Sequence, residues 1–228
     1  MKNLKTLEYY RQNIFEMIRP NARQNLISGY VFRVGDKLHP DEEDQARIFL
    51  DVIERIDSHA PSMIEIGCSS HSAYSQNFND IFENECINIC IEIIEEHLAL
   101  FKYEWEQNSR TGFFYHGHCG IPTHVSEPVR AVESRGEHLK IKQLLQNHNI
   151  DILDILHMDI QGSEVSVLQE MCDDDLFDRV RYGFISVHHN HNDCITILNK
   201  QNLEYLYNSP DTGGYGDGLI VYQNKNLT

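Results

Sequence analysis

Four short apolar runs in this chain each end in residues able to do chemistry. The first closes in Glu65-Ile66-Gly67-Cys68-Ser69-Ser70-His71-Ser72, where small side chains let a ligand approach the backbone and the amides of the following helix favour an anionic group. The second, Ile87-Asn88-Ile89-Cys90-Ile91-Glu92, ends on a carboxylate that can accept hydrogen bonds from both hydroxyls of a ribose. The third delivers Asp159, then Gly162 for a turn, then Glu164 in the first turn of a helix, a position that carboxylates favour for capping alone. The fourth, Gly183 to Val187, ends in His188-His189-Asn190-His191. Histidine accepts a proton near neutral pH or binds a divalent metal through a ring nitrogen. Asp159 and His188 are therefore the catalytic candidates, either as a proton-accepting pair or as ligands for magnesium or manganese, which would lower the pKa of a bound hydroxyl. Both mechanisms stay open at this point.

These residues can meet only if the elements carrying them share one edge. Open parallel sheets bind ligands beyond the carboxyl ends of their strands, where the strand order reverses. From residue 62 onward short apolar runs alternate with amphipathic helices, the pattern of βαβ units. Strands are expected at Met63–Ile66, Ile87–Glu92, Phe113–His118, Ile155–Asp159 and Gly183–His188, with helices near Ala73–Phe82, Glu95–Glu106, Leu139–Asn147 and Glu164–Met171. Leu203–Asn208 and Gly218–Gln223 read as a closing hairpin-like pair at the sheet edge. The fold class is α/β, a doubly wound and mainly parallel sheet.

Residues 1–60 read as a helical N-terminal extension to a ligand-binding domain over 61–228. Leu4, Leu7, Tyr10, Ile14 and Ile18 keep helical spacing until Pro20, and a second apolar stripe after Pro40 runs through Ile48, Phe49, Val52, Ile53 and Ile56. Between them, Tyr30 and Phe32 sit in a segment placed to fold over a cleft. A second loop, Gly120–Glu137, is expected near the same cleft.

A chain of 228 residues supports one well-buried core. With 35 acidic and 19 basic residues the formal charge is −16, which repels a phosphate backbone or an anionic membrane surface. The sequence therefore points to a small-molecule partner, with no nucleic acid and no membrane. No apolar run is long enough for a membrane span, and Met1–Tyr10 lacks the apolar core of a secretory signal, so the expected compartment is the cytoplasm. The six cysteines form no CxxC pair and read as reduced, buried small hydrophobes. A homo-oligomer is compatible with all of this.

In order, these motifs resemble the FkbM family of S-adenosylmethionine-dependent methyltransferases. Ile150 to Glu164 looks like that family's "IDxLKIDVEGxE" strand and turn, Glu65-Ile66-Gly67 resembles its first glycine turn, and Ile91-Glu92 with Glu95, Leu98 and Lys102 is similar to its "FEP…L" segment. Gly216 to Val221 is similar to a closing strand of many members. Departures are Cys68-Ser69-Ser70 in the turn, Ile93 in place of proline and Gln161 in place of glutamate. The resemblance covers about residues 62–222. It implies a Rossmann-like sheet of the class I methyltransferase type, S-adenosylmethionine as methyl donor, and O-methylation of a small molecule, commonly a sugar or natural-product hydroxyl. On that reading Glu65, Gly67, Ser69, Ser70 and Ser72 hold the methionine end, Glu92 and Ile93 the ribose, His116, Gly117 and His118 border the adenine, and Asp159 reaches the cofactor as well as the acceptor. Two alternatives share the fold: a nucleotide-binding oxidoreductase, which would need the GxGxxG turn absent here, and a binding protein that has kept the fold without the chemistry.

Overall fold

A computed structural model describes residues 2–14, 17, 40–69, 72–120, 136–160, 162–188, 190–209 and 217–227. Ten residues pair β1 (Ser62–Ile66) in parallel with β2 (Ile87–Glu92), and β1 pairs on its other side with β5 (Leu153–Asp159), also in parallel. Beyond β2 lie β3 (Phe113–His118) and the two-residue β4 (Glu137–His138); beyond β5 lies β6 (Val180–His188). The sheet closes with β7 (Leu203–Ser209) and β8 (Asp217–Asn224), giving the order β4-β3-β2-β1-β5-β6-β8-β7. The chain thus builds outward from β1 to β4, then returns across β1 to β5. The carboxyl ends of β1 and β5 are the reversal point at which such sheets bind ligands.

The closing pair is antiparallel as the sequence suggests, but β8 lies inside, between β6 and β7, and β7 takes the edge. The reason is visible in composition: Gly218 to Tyr222 is a continuous apolar run and is buried, whereas Leu203–Ser209 alternates and is half-buried.

Helices cover both faces. On one side α5 (Ile141–Asn147), α6 (Glu164–Asp173) and α7 (His191–Leu198) pack Leu144, Val167, Leu168 and Ile197 onto Ile64, Leu156 and Ile185. On the other, α1 (Leu4–Gln12), α2 (Pro40–Arg55) and α3 (Ala73–Ile81) pack Leu7, Phe49, Ile53 and Phe78 onto Met63, Ile155, Phe184 and Val221. Helix α4 (Glu95–Gln107) covers the β2–β3 end through Phe101 and Trp105, both fully buried. The apolar stripe read after Pro40 is the face of α2 that closes this core. Ile18, Pro20, Tyr30, Phe32 and residues 121–135 of the second expected loop lie outside the described residues.

Candidate active site

At the end of β1 the backbone turns sharply over its neighbours. Gly67 adopts φ +84°, and a Cβ there would stand 2.1 Å from the Asp159 carbonyl oxygen, so only glycine lets the β1 and β5 ends approach this closely. The Gly67 and Cys68 amides donate to the Ile91 carbonyl at 2.9 and 3.2 Å, tying the turn to β2. Ser69, itself at φ +53°, donates its amide to Glu92 Oε2 at 2.7 Å. Glu92 Oε1 accepts from the Ile94 amide at 2.9 Å. One buried carboxylate thus fixes the turns after β1 and β2, and each of its oxygens keeps acceptor capacity for a ligand.

These turns enclose a cavity of about 310 Å³, within the range of small-ligand sites. Of the residues expected at a cofactor, Gly67, Ser69, Glu92, Ile93, Gly117 and Asp159 line it. His116 stands just behind, its Nε2 3.1 Å from the Ile93 carbonyl oxygen, and Ser70 lies outside the described residues. His118, also expected at the adenine, lines it too, and the sequence reading missed His97, Cys119 and Ser163 in the same wall. Burial pushes the Cys119 thiol up to about 12, which makes it a neutral wall rather than a nucleophile. The mixed apolar and acceptor lining, with Ile66, Ile91 and Ile160 against Glu92, suits an adenosine-bearing ligand whose ribose meets the carboxylate.

Glu65 and Ser72 are placed differently from the expectation and do not line the cavity. Glu65 is fully buried on the face of the sheet beneath α2 and α3, where its carboxylate accepts from the hydroxyls of Ser72 and Ser75 and, at 3.2 Å, from the Ser75 amide. His157, its register partner on β5, brings Nδ1 to 3.2 Å from Oε1. Tyr74 lies over the His157 ring at 4.6 Å and the Gln45 amide reaches its Nε2 at 3.3 Å. Burial alone pushes the Glu65 carboxyl up, but the His157 contact and the serine hydroxyls outweigh it and hold the group below the usual carboxylate range. This network braces the turn from underneath.

β5 and β6 bring together Asp159, which lines the cavity, and His188, which lies outside its lining, with Asp159 Oδ1 3.6 Å from His188 Nε2. Gly162, at φ +85°, makes the turn into α6 as its sequence position suggests. Glu164 does not serve the helix end: it is completely buried and its Oε1 lies 2.7 Å from His188 Nδ1 and 3.1 Å from the His188 amide. Among the described residues no three histidine, cysteine, aspartate or glutamate side chains converge on one point as a metal site would need.

A doubly wound sheet with this cavity at its reversal point is the Rossmann-like fold of class I methyltransferases. The METTL16 MTase domain shares it with a TM-score of 0.54 at 15% identity, over 97% of this chain and 82% of that one. Human methyltransferase 10 domain containing protein gives 0.53 at 14% identity, over 97% and 98%. The N-terminal domain of human METTL16 in complex with SAH gives 0.51 at 14%, over 97% and 84%. At such identities the likeness is one of fold. The model of the methyltransferase FkbM domain matches residues 76–207, more than half of the chain, and the protein belongs to that family. No curated protein sequence matches it.

Proposed function

We propose that this protein transfers a methyl group from S-adenosylmethionine to a hydroxyl oxygen of a small molecule, a sugar or glycan residue being the class the family resemblance favours. The observation that carries the choice of oxygen is the imidazole of His188, its Nε2 3.6 Å from Oδ1 of Asp159, a residue of the cavity wall. A neutral amine needs no base to attack a methyl group, whereas a hydroxyl must lose its proton as the new C–O bond forms. A base is what the site provides.

The cofactor, when bound, supplies a methyl carbon already activated by its positive sulfur, and the protein's work is alignment and proton removal. Glu92 accepts from the ribose hydroxyls while its backbone partners, Ser69 and Ile94, hold the two turns in place. The isoleucines of the cavity exclude water from the reacting centre. His188 would take the acceptor proton on Nε2, freeing the acceptor oxygen for the methyl carbon that the cofactor would supply, with sulfur keeping the electron pair of the S–C bond. The positive charge lost there reappears on the imidazolium, between Asp159 and Glu164. A polyanionic acceptor suits neither this pair of carboxylates nor the formal charge of −16. Among the described residues no helix is long and apolar enough to cross a membrane.

Calorimetric titration with S-adenosylhomocysteine, followed by transfer of radiolabelled methyl to a panel of glycosides, tests this reading. Binding in the wild type and in His188→Ala, with transfer lost only in the variant, is the expected result. Absence of binding to the wild-type protein overturns it.

A further inference from the structure

A carboxylate at the start of a helix ordinarily bonds the orphan amides of that helix. Glu164 does something else. It is completely buried, and its Oε1 accepts the backbone N–H of His188 at 3.1 Å and lies 2.7 Å from the ring Nδ1 of the same residue. Its Oε2 is equally enclosed and has no hydrogen-bond partner among the described residues. The whole acceptor geometry of one carboxylate oxygen is therefore spent on a single residue of β6, 24 positions away.

We propose that Glu164 is a positioning residue which locks His188 in the Nδ1–H tautomer, so that Nε2, on the Asp159 side, is the atom bearing the lone pair. The inference rests on the methyltransferase reading for its purpose, though not for its geometry. An oxygen that already accepts the backbone N–H of His188 presents an acceptor to the ring as well, which leaves Nδ1 as the donor. Fixing Nδ1–H also fixes the ring plane, because the backbone N–H and Nδ1 of one residue converge on one atom. Without that anchor the ring would exchange tautomers, and the neutral ring would present Nε2–H to the acceptor for part of the time. Burial adds to the effect, since no water competes for Oε1.

The test reads the tautomer directly. Long-range ¹⁵N–¹H correlation spectra of histidine-labelled protein, taken at about pH 8.5, above the ordinary histidine range of about 6.5, are recorded with and without S-adenosylhomocysteine. The His188 signals are identified by their loss in His188→Ala. Wild type is expected to show a protonated Nδ1 and an unprotonated Nε2. Glu164→Gln keeps this pattern, because the backbone N–H of His188 selects the amide oxygen over the amide NH₂, while turnover falls about tenfold with the lost charge. Glu164→Leu gives averaged nitrogen shifts and a fall in turnover on the order of 10², with the affinity for S-adenosylhomocysteine unchanged. An Nε2–H tautomer or a doubly protonated ring in the wild type overturns the proposal, as does a wild-type pattern in Glu164→Leu. Should the leucine variant not fold, the wild-type and glutamine spectra decide alone. Failure of the wild type to bind S-adenosylhomocysteine would instead sink the methyltransferase reading, and the tautomer assignment would stand or fall on its own spectra.

Discussion

Glu92 shows how much one side chain does at this site. It is 5% exposed, and it answers the Ser69 and Ile94 amides while facing the cavity. Hydrogen bonds to a charged group contribute about 1.5–3 kcal/mol each, and each 1.4 kcal/mol is a factor of about ten in affinity. Glu92→Ala is therefore expected to weaken S-adenosylhomocysteine binding by roughly ten- to a hundredfold, through the ribose contact and through the loosened turns; calorimetry with an affinity equal to wild type would remove Glu92 from the cofactor site. Its place was legible because an acidic residue closed an apolar run. Glu164 and His157 were not legible in the same way. Each is defined by a partner on another strand, His188 and Glu65, and the sequence alone does not say which strands are neighbours.

At the scale of elements, the period of the apolar residues identified the helices and the central strands because burial on two faces demands it. The inner placement of β8 and the two-residue β4 were beyond that signal: β4 is too short to have a period, and strand order is set by packing rather than by local pattern. The helical stripe after Pro40 was legible, but its destination was not. Phe49 of α2 is fully buried and meets Tyr74 at 5.0 Å and Phe184 at 5.6 Å, edge to face, linking α2, α3 and β6. Tyr74 in turn covers His157, the partner of Glu65 beneath the glycine turn. Truncating Phe49 opens a cavity at this junction, and a buried Phe→Ala change costs about 3–5 kcal/mol. Phe49→Ala is expected to lower denaturant stability by that amount in a single transition; a cost under about 1 kcal/mol, the scale of a surface change, would mean that α2 is not part of this core.

For the molecule as a whole, the formal charge of −16 makes neutral to acidic pH a balance between relieved repulsion and lost native interactions. Glu65 decides part of that balance. Burial opposes its ionisation, yet His157, Ser72 and Ser75 hold its pKa below the unfolded value of 4.5. A depressed carboxyl stabilises the fold fully above its unfolded pKa, and that contribution fades as pH falls through the folded one. His157→Gln removes the imidazole and keeps a side chain of similar size, so Glu65 is left buried with the serines alone. Leaving a buried carboxylate without one of its polar partners costs about 1–3 kcal/mol, which for a chain of this length, at about 2–4 °C per kcal/mol, is roughly 2–12 °C in melting temperature. The gap between wild type and His157→Gln should be at its full size near neutral pH and close as pH drops below about 4.5, because protonated Glu65 no longer distinguishes the two proteins. Thermal unfolding followed by circular dichroism between about pH 7 and pH 3 measures that gap. If it stays constant across the range, the contribution of His157 is one of shape alone, and the charge on Glu65 has no part in bracing the turn that faces the cavity.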